Sequence, residues 1–300
     1  MKLAQKILQY VIVILILLAI FLGSLVVTSL IPSSWMGENV KKSAEDMKEI
    51  GEKEIVDMGY KKEVLFIFTD ALMINTAYSV DSTHPLESSL LARRDYLLGQ
   101  TTVVHADIPE GLVSPARYYE EGESRENAFQ TEELWDTAFG IVDEAFEYAR
   151  YWHGYLVFLR PLLCFLDYGG LRILSACSLA ILVIALAIFT YKKLGLAVTI
   201  AVILSFLGAS VGIATQSIST IIPFFLAVVA SIYLLARYEK IKSFSIYFFV
   251  IGACTCFFDL LTTPLVTFGI PAVFYFLCKQ KEEDLNLKEE IKDFLKIGIA

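Results

Sequence analysis

Two carboxylates, three arginines and one aromatic–histidine run are the residues of this chain whose types and settings suggest chemistry. Asp70 follows the apolar run 64–68 and opens Asp70-Ala71-Leu72-Met73-Ile74-Asn75. It has two readings, a helix cap or a carboxylate whose apolar border raises its hold on a proton and makes it a general base. Asp259 lies in Phe257-Phe258-Asp259-Leu260-Leu261-Thr262-Thr263-Pro264, at the end of an apolar segment. A charge there is costly unless it faces a cavity or a partner. Arg150, Arg160 and Arg172 each carry a planar fork of donors that matches phosphate. Their alternative is pairing with Asp143, Glu147 or Asp167, and Glu147 to Arg150 has helical i,i+3 spacing. Trp152 and His153, within Tyr151-Trp152-His153-Gly154-Tyr155, read either as an interfacial aromatic belt or as a platform for a sugar or lipid headgroup.

Other chemistries find less support. The three histidines, His84, His105 and His153, are 21 and 48 residues apart and form neither HxxxH nor HExxH, so no metal site is assigned from them. No cofactor is assigned either, although a divalent metal remains open. The five cysteines lie in or beside apolar segments without a CxxC pair, and read as inert thiols. A net charge of -8 and a pI near 5.1 exclude a nucleic-acid partner, which requires a basic surface.

The elements that must position these residues are apolar helices. The 300 residues are 56% hydrophobic with a mean hydropathy of +0.60, too apolar for an ordinary soluble domain. The first segment, 7–31, is long enough to cross a bilayer, which takes about 20 apolar residues. Lys2 and Lys6 precede it and keep the N-terminus cytoplasmic. Five further segments follow, at 171–191, 194–215, 218–235, 244–261 and 264–278. If they alternate, Lys192–Lys193, the cluster Arg237, Lys240 and Lys242, and the stretch after Lys279 all face the cytoplasm, as the positive-inside rule requires. Residues 32–170 then face outward, holding 25 Asp/Glu against 12 Lys/Arg, whereas the rest of the chain holds 8 against 13. Both candidate carboxylates fall on the outer side.

Within that acidic insertion, Val40, Ala44, Met47, Gly51, Glu54 and Met58 recur at helical steps and predict one surface helix over 38–58. Residues 64–68 are either a buried strand or the start of the next helix. Residues 107–127 read as loop, 131–153 as a long helix and 155–166 as an interfacial segment. Pro264 and Pro271 predict a kinked or broken last span. Residues 279–296 form a charged helical stretch, and the final Ile297-Gly298-Ile299-Ala300 reads as the opening of a further apolar helix, so the sequence predicts a longer protein.

The fold class expected is therefore mainly α: a polytopic α-helical membrane protein with a largely helical extracytoplasmic insertion between the first and second spans. Its parts are an anchor (1–31), an acidic helical domain (32–153), an interfacial helix with five transmembrane segments (154–278) and a charged cytoplasmic helix (279–300). The location expected is the bacterial cytoplasmic membrane.

This layout resembles the polytopic GT-C glycosyltransferases. Three strings, FTDALMINTAYSVDSTHPLESSLLARRDY (68–96), YWHGYLVFLRPLLCFLDYGGLRIL (151–174) and FFDLLTTPLVTFGIP (257–271), are also similar to those of Gram-positive bacterial membrane proteins without a characterised activity. The GT-C resemblance implies sugar transfer from a polyprenyl-phosphate donor to a cell-envelope glycan or lipid acceptor. It also implies that Asp70, or else Asp259, is the base and that Arg160 holds phosphate. Two other classes stand beside it: a non-enzymatic envelope scaffold, and a transporter or flippase. Ionisable residues are nearly absent from the middle of the apolar segments, which counts against the transporter.

Overall fold

The computed structural model describes residues 2–51, 53–57, 62–91, 93–95, 130–140, 145–147, 151–260, 262–282 and 287–298. His105, Asp143, Arg150 and the loop expected over 107–127 lie outside the described residues. The fold is mainly α, as expected. It divides into two compact units, one of residues 1–21 and 172–300, the other of residues 22–171. The second unit thus includes residues 154–171, which the sequence reading had grouped with the apolar helices.

The first unit is built from long apolar helices. Helix α1 (Lys2–Ser29) contributes its N-terminal part; its last turns belong to the second unit. Among the described residues, three helical stretches are long and apolar enough to cross a membrane: 4–29 in α1, 168–194, and 218–240. α1 exposes Ile7, Leu8, Ile12, Leu15, Ile16 and Ile20, a larger apolar stripe than a protein in water normally leaves uncovered.

Of the apolar segments of this unit, 194–215 departs most from its expected range. The N-caps of α9 (Ile218–Arg237) and α10 (Phe244–Phe258) are Ser217 and Ser243, whose hydroxyls accept from the amides of Thr220 and Ile246. Such caps satisfy amide donors that the helix itself leaves open. The apolar segment 194–215, expected as one span, ends early: the helix is Leu196–Gly208, followed by Ser210 at φ 53 and a 3-10 turn over Val211–Gln216. Thirteen residues reach about 20 Å at 1.5 Å per residue, short of the ~30 Å hydrocarbon core. Gly208 and Ser210 at the break favour a turn over helix continuation.

The unit's core lies among the helices Tyr168–Leu194, α9, α10 and Pro264–Glu282. Leu186, Val228, Leu234, Phe248, Phe274, Tyr275 and Cys278 are buried there together. Phe21 of α1 stacks on Phe257 of α10 at 4.0 Å, and Tyr10 meets Phe249 edge-on at 5.3 Å. The segment from Pro264 continues as helix to Glu282 with Pro271 inside it, instead of ending near residue 278.

The second unit starts from an amphipathic helix, α2 (Gly37–Ile50), which buries Val40, Ser43, Ala44 and Met47. The helical stripe anticipated as far as Met58 stops at Gly51, whose φ of 77 and ψ of -163 suit glycine alone at low cost. Strands β1 (Lys53–Asp57) and β2 (Lys62–Phe66) follow and pair antiparallel, Lys53 opposite Phe66. The apolar run 64–68 therefore resolves into both of its readings, strand to Phe66 and helix from Phe68. Helix α3 (Phe68–Tyr78) is buried nearly all round, and it packs with α2 and with α5 (Gln130–Ala138). α4 (Pro85–Leu91) leads into β3 (Arg93–Asp95), which pairs with β4 (Ala145–Glu147). The helix expected over 131–153 is thus only nine residues long: Gly140, at φ 71, stands where a C-terminal glycine ends a helix. α6 (Leu156–Leu163) packs on α3, and α7 (Tyr168–Leu194) begins as this unit ends.

In the first unit α8 (Leu196–Gly208) follows α7, and α11 (Pro264–Glu282) is joined to α12 (Leu287–Gly298) by charge. Lys279 at the end of α11 meets Glu290 at 2.9 Å and Asp293 at 2.6 Å. The hydrogen bond from Lys279 holds the Asp293 carboxyl below its usual value. A depressed carboxylate contributes stability that is complete above its unfolded pKa of about 3.9 and is lost as pH falls through the lower folded value. Amide protection over 291–297 should therefore be constant from pH 8 to 5 and fall on acidification below about 4. Lys279→Met should lower it at neutral pH. Equal protection in the variant and the parent, by hydrogen exchange, would show that the ion pairs do not hold α12.

Candidate functional site

Asp70 sits in the first turn of α3 and is fully buried. It is not the cap of that helix, since the N-cap position is Ile67; it is one turn of core helix instead. Its Oδ2 accepts a hydrogen bond from the Tyr168 hydroxyl at 2.9 Å. Tyr168, itself buried, is fixed from behind: its backbone amide donates to the Ser43 hydroxyl at 2.8 Å. Ser43 in turn donates to Asn39 O at 2.7 Å, and the Asn39 side-chain amide donates to Leu163 O at 2.9 Å. α2, α3, α6 and the start of α7 thus share one polar chain through the core. A carboxylate removed from water costs free energy unless such partners meet it.

The start of α7 is fixed a second way. Asp167 Oδ1 accepts from the Gly170 amide at 2.9 Å, an N-cap on the third helical residue, and its other oxygen lies 3.6 Å from Lys42 Nζ. Asp167 is therefore engaged in capping, whereas the sequence offered it as a partner for an arginine.

Arg160 lies on α6 with no exposed surface. All three of its nitrogens donate to backbone carbonyls: Nε to Thr28 O at 3.2 Å, one terminal nitrogen to Ala77 O and the other to Ile31 O. Thr28 lies in the last turn of α1, Ile31 two residues beyond its end, and Ala77 in the last turn of α3. Helix C-termini leave four carbonyls without helical partners and carry partial negative charge. Arg160 supplies donors and a cation to two such ends at once. Burial brings its guanidinium down to about 10, which leaves it charged at neutral pH. Its geometry is that of a clamp between helices, and three of the five N–H donors of the fork that would bind phosphate are committed.

His153 is buried, with φ 52, a left-handed conformation uncommon for a residue with a side chain. Its Nδ1 and the Tyr155 hydroxyl share a hydrogen bond of 2.9 Å, and its ring meets those of Tyr151 and Tyr155 edge-on. Trp152 beside it is exposed. The run thus splits: tryptophan faces outward, and histidine is enclosed among tyrosines.

Two predicted residues belong to the first unit. Arg172 Nε donates to the Gln216 side-chain oxygen at 3.0 Å, linking α7 to the 3-10 turn. Asp259 follows α10 and is buried; its Oδ1 accepts from the Thr262 hydroxyl at 2.6 Å. Its Oδ2, like the Thr263 hydroxyl, is buried with no hydrogen-bond partner among the described residues. An unpaired buried oxygen is rare in folded proteins.

Tyr168 and Ser43 were missed by sequence reasoning. Tyr168 stands 98 positions from Asp70, and a tyrosine beside Gly169-Gly170 carries no local mark of its partner. Asp136, buried on α5, was also passed over. Among the described residues no group of three or more His, Cys, Asp or Glu is placed to hold a metal. Comparison with protein-family models, with curated proteins and with solved structures returns no match.

The clamp yields a stability test. Arg160→Met keeps length and apolar packing but removes a donor from three carbonyls, of which Thr28 O keeps a backbone donor, the Ile31 amide. Each buried acceptor left unmet costs about 1–3 kcal/mol. The apparent unfolding temperature in detergent should fall by several degrees, with a smaller loss for Arg160→Lys. An unchanged unfolding temperature in Arg160→Met, together with lost lipid-phosphate binding, would assign the residue to substrate instead.

Proposed function

We propose that this chain is a membrane glycosyltransferase of GT-C type, taking a sugar from a polyprenyl-phosphate donor on the extracytoplasmic side. The acceptor is a hydroxyl of an envelope glycan or lipid. The observation that carries the reading is Asp70, a wholly buried carboxylate bonded to the Tyr168 phenol, in a unit that follows one apolar helix and precedes several. Cores rarely keep such a group without a use for it.

In this scheme Asp70 accepts the acceptor's proton as the new glycosidic bond forms at the anomeric carbon, and the bond to the donor phosphate breaks with the electron pair leaving on phosphate. Tyr168 orients the carboxylate by its hydrogen bond. Exposed Trp152 stacks on sugar, and His153 supports it through the tyrosine cluster. Arg160, committed to carbonyls, is not assigned the donor phosphate in this scheme. Asp259, with its orphaned oxygen, is the second candidate base.

A non-enzymatic envelope scaffold is the second reading, and Arg160 favours it: its three nitrogens bind backbone carbonyls and hold helices together. One substitution separates the two readings. Asp70→Asn is nearly isosteric and keeps an acceptor for Tyr168. As an enzyme, the protein should lose glycan transfer by about 10²–10⁴-fold, the usual contribution of a general base, with an unchanged unfolding temperature. Wild-type glycan modification in a folded Asp70→Asn variant contradicts the catalytic role and leaves the scaffold.

A further inference from the structure

The ends of α7 and α9 and the 3-10 turn Tyr238–Lys240 border a cavity of about 290 Å³. Phe189, Leu235 and Tyr238 form the apolar part of its lining, and the remainder is mostly cationic. Lys193 is already engaged, 2.9 Å from Glu239, 3.5 Å from Glu282 and over the Tyr238 ring. Lys192, Arg237 and Lys240 also line the cavity, and none of them forms an ion pair among the described residues.

Cations in the last turn of a helix are ordinarily explained by the helix dipole, worth about half a negative charge per terminus. Two termini therefore account for roughly one of these three charges, and Glu239 and Glu282 against the single Lys193 offset a second. A surplus of positive charge is left facing the cavity, enough to meet the single negative charge of a phosphodiester.

The surfaces leading to this cavity are apolar and follow a regular spacing. On α7, Ile184, Ile188 and Lys192 succeed one another at four-residue intervals; on α9, Val229, Tyr233 and Arg237 do the same. Residues four apart lie on one helix face. Ile184, Ile188, Val229 and Tyr233 are all exposed. Each helix therefore presents an uncovered apolar rail that ends in a cation at the cavity, matching an amphiphile with acyl chains and an anionic head.

We propose that this cavity binds the phosphate of an anionic phospholipid, with its chains along the two rails. The inference depends on α7 and α9 crossing the membrane and is independent of glycosyl transfer. Basic pockets between helices are a recurrent form of lipid-headgroup site.

The full chain would be placed in mixed bilayers of phosphatidylglycerol and phosphatidylcholine, extracted, and its retained lipid measured by native mass spectrometry. Phosphatidylglycerol should be retained in preference, and the triple variant Lys192→Gln/Arg237→Gln/Lys240→Gln should lower that preference at least tenfold. Millimolar inorganic phosphate should not displace the lipid; displacement would show a site for the free anion and overturn the lipid assignment. Undiminished preference in the triple variant overturns the proposal too. Should that variant not fold, a photoactivatable phosphatidylglycerol on the parent protein decides: label within 184–192 or 229–240 supports the site, and label confined elsewhere refutes it.

Discussion

Helices that end inside a protein leave carbonyls that must find donors, and the second unit meets that constraint with one guanidinium. α1 and α3 both present their C-terminal carbonyls to Arg160. The rest of the unit's arrangement depends on this meeting. It fixes the last turn of α1, sets α3 against α6, and so determines where the first turn of α3 carries Asp70. A lysine could satisfy one end at a time; only a planar fork with donors on three nitrogens reaches three separate carbonyls. A buried cation opposite carbonyl dipoles also avoids the second desolvation cost that a buried carboxylate partner would add.

The polar chain from Asn39 through Ser43 and Tyr168 to Asp70 crosses the same core and ties α2 and α7 to it. Buried networks of this kind stabilise one packing over its near alternatives only when each member is satisfied. Here the members are an amide, a hydroxyl and a phenol that end on the Asp70 carboxyl. Asp259 offers a contrast in the other unit. One of its oxygens is held by Thr262, and the other is buried with no hydrogen bond among the described residues.

Long apolar segments were legible in the sequence because their signal is local. α1, α7 and α9 follow directly from hydropathy, whereas the Ser217 and Ser243 caps come from the structure. Breaks set by backbone conformation were read less well. Gly51 and Gly140 end helices whose apolar spacing continues beyond them, and the stop after Gly208 lies within an unbroken hydrophobic run. The candidate site was legible by residue type and not by role. Asp70, Arg160 and His153 stand out as polar groups in apolar surroundings, and all three are buried. Their partners are distant in the chain: Arg160 binds Thr28 across 132 positions, and Tyr168 binds Asp70 across 98. Backbone carbonyls, the acceptors that define the role of Arg160, have no sequence signature at all.

The central claim, that Arg160 is an enclosed cation binding two helix ends, can be read from its guanidinium protons. Nitrogen-15 spectra of arginine-labelled protein in detergent, assigned by difference against Arg160→Lys, should show separate, slowly exchanging Nε and Nη signals for this residue at neutral pH, unchanged by added phosphate or lipid phosphate. A single averaged Nη signal in fast exchange with water, or one that moves when phosphate is added, would contradict the account.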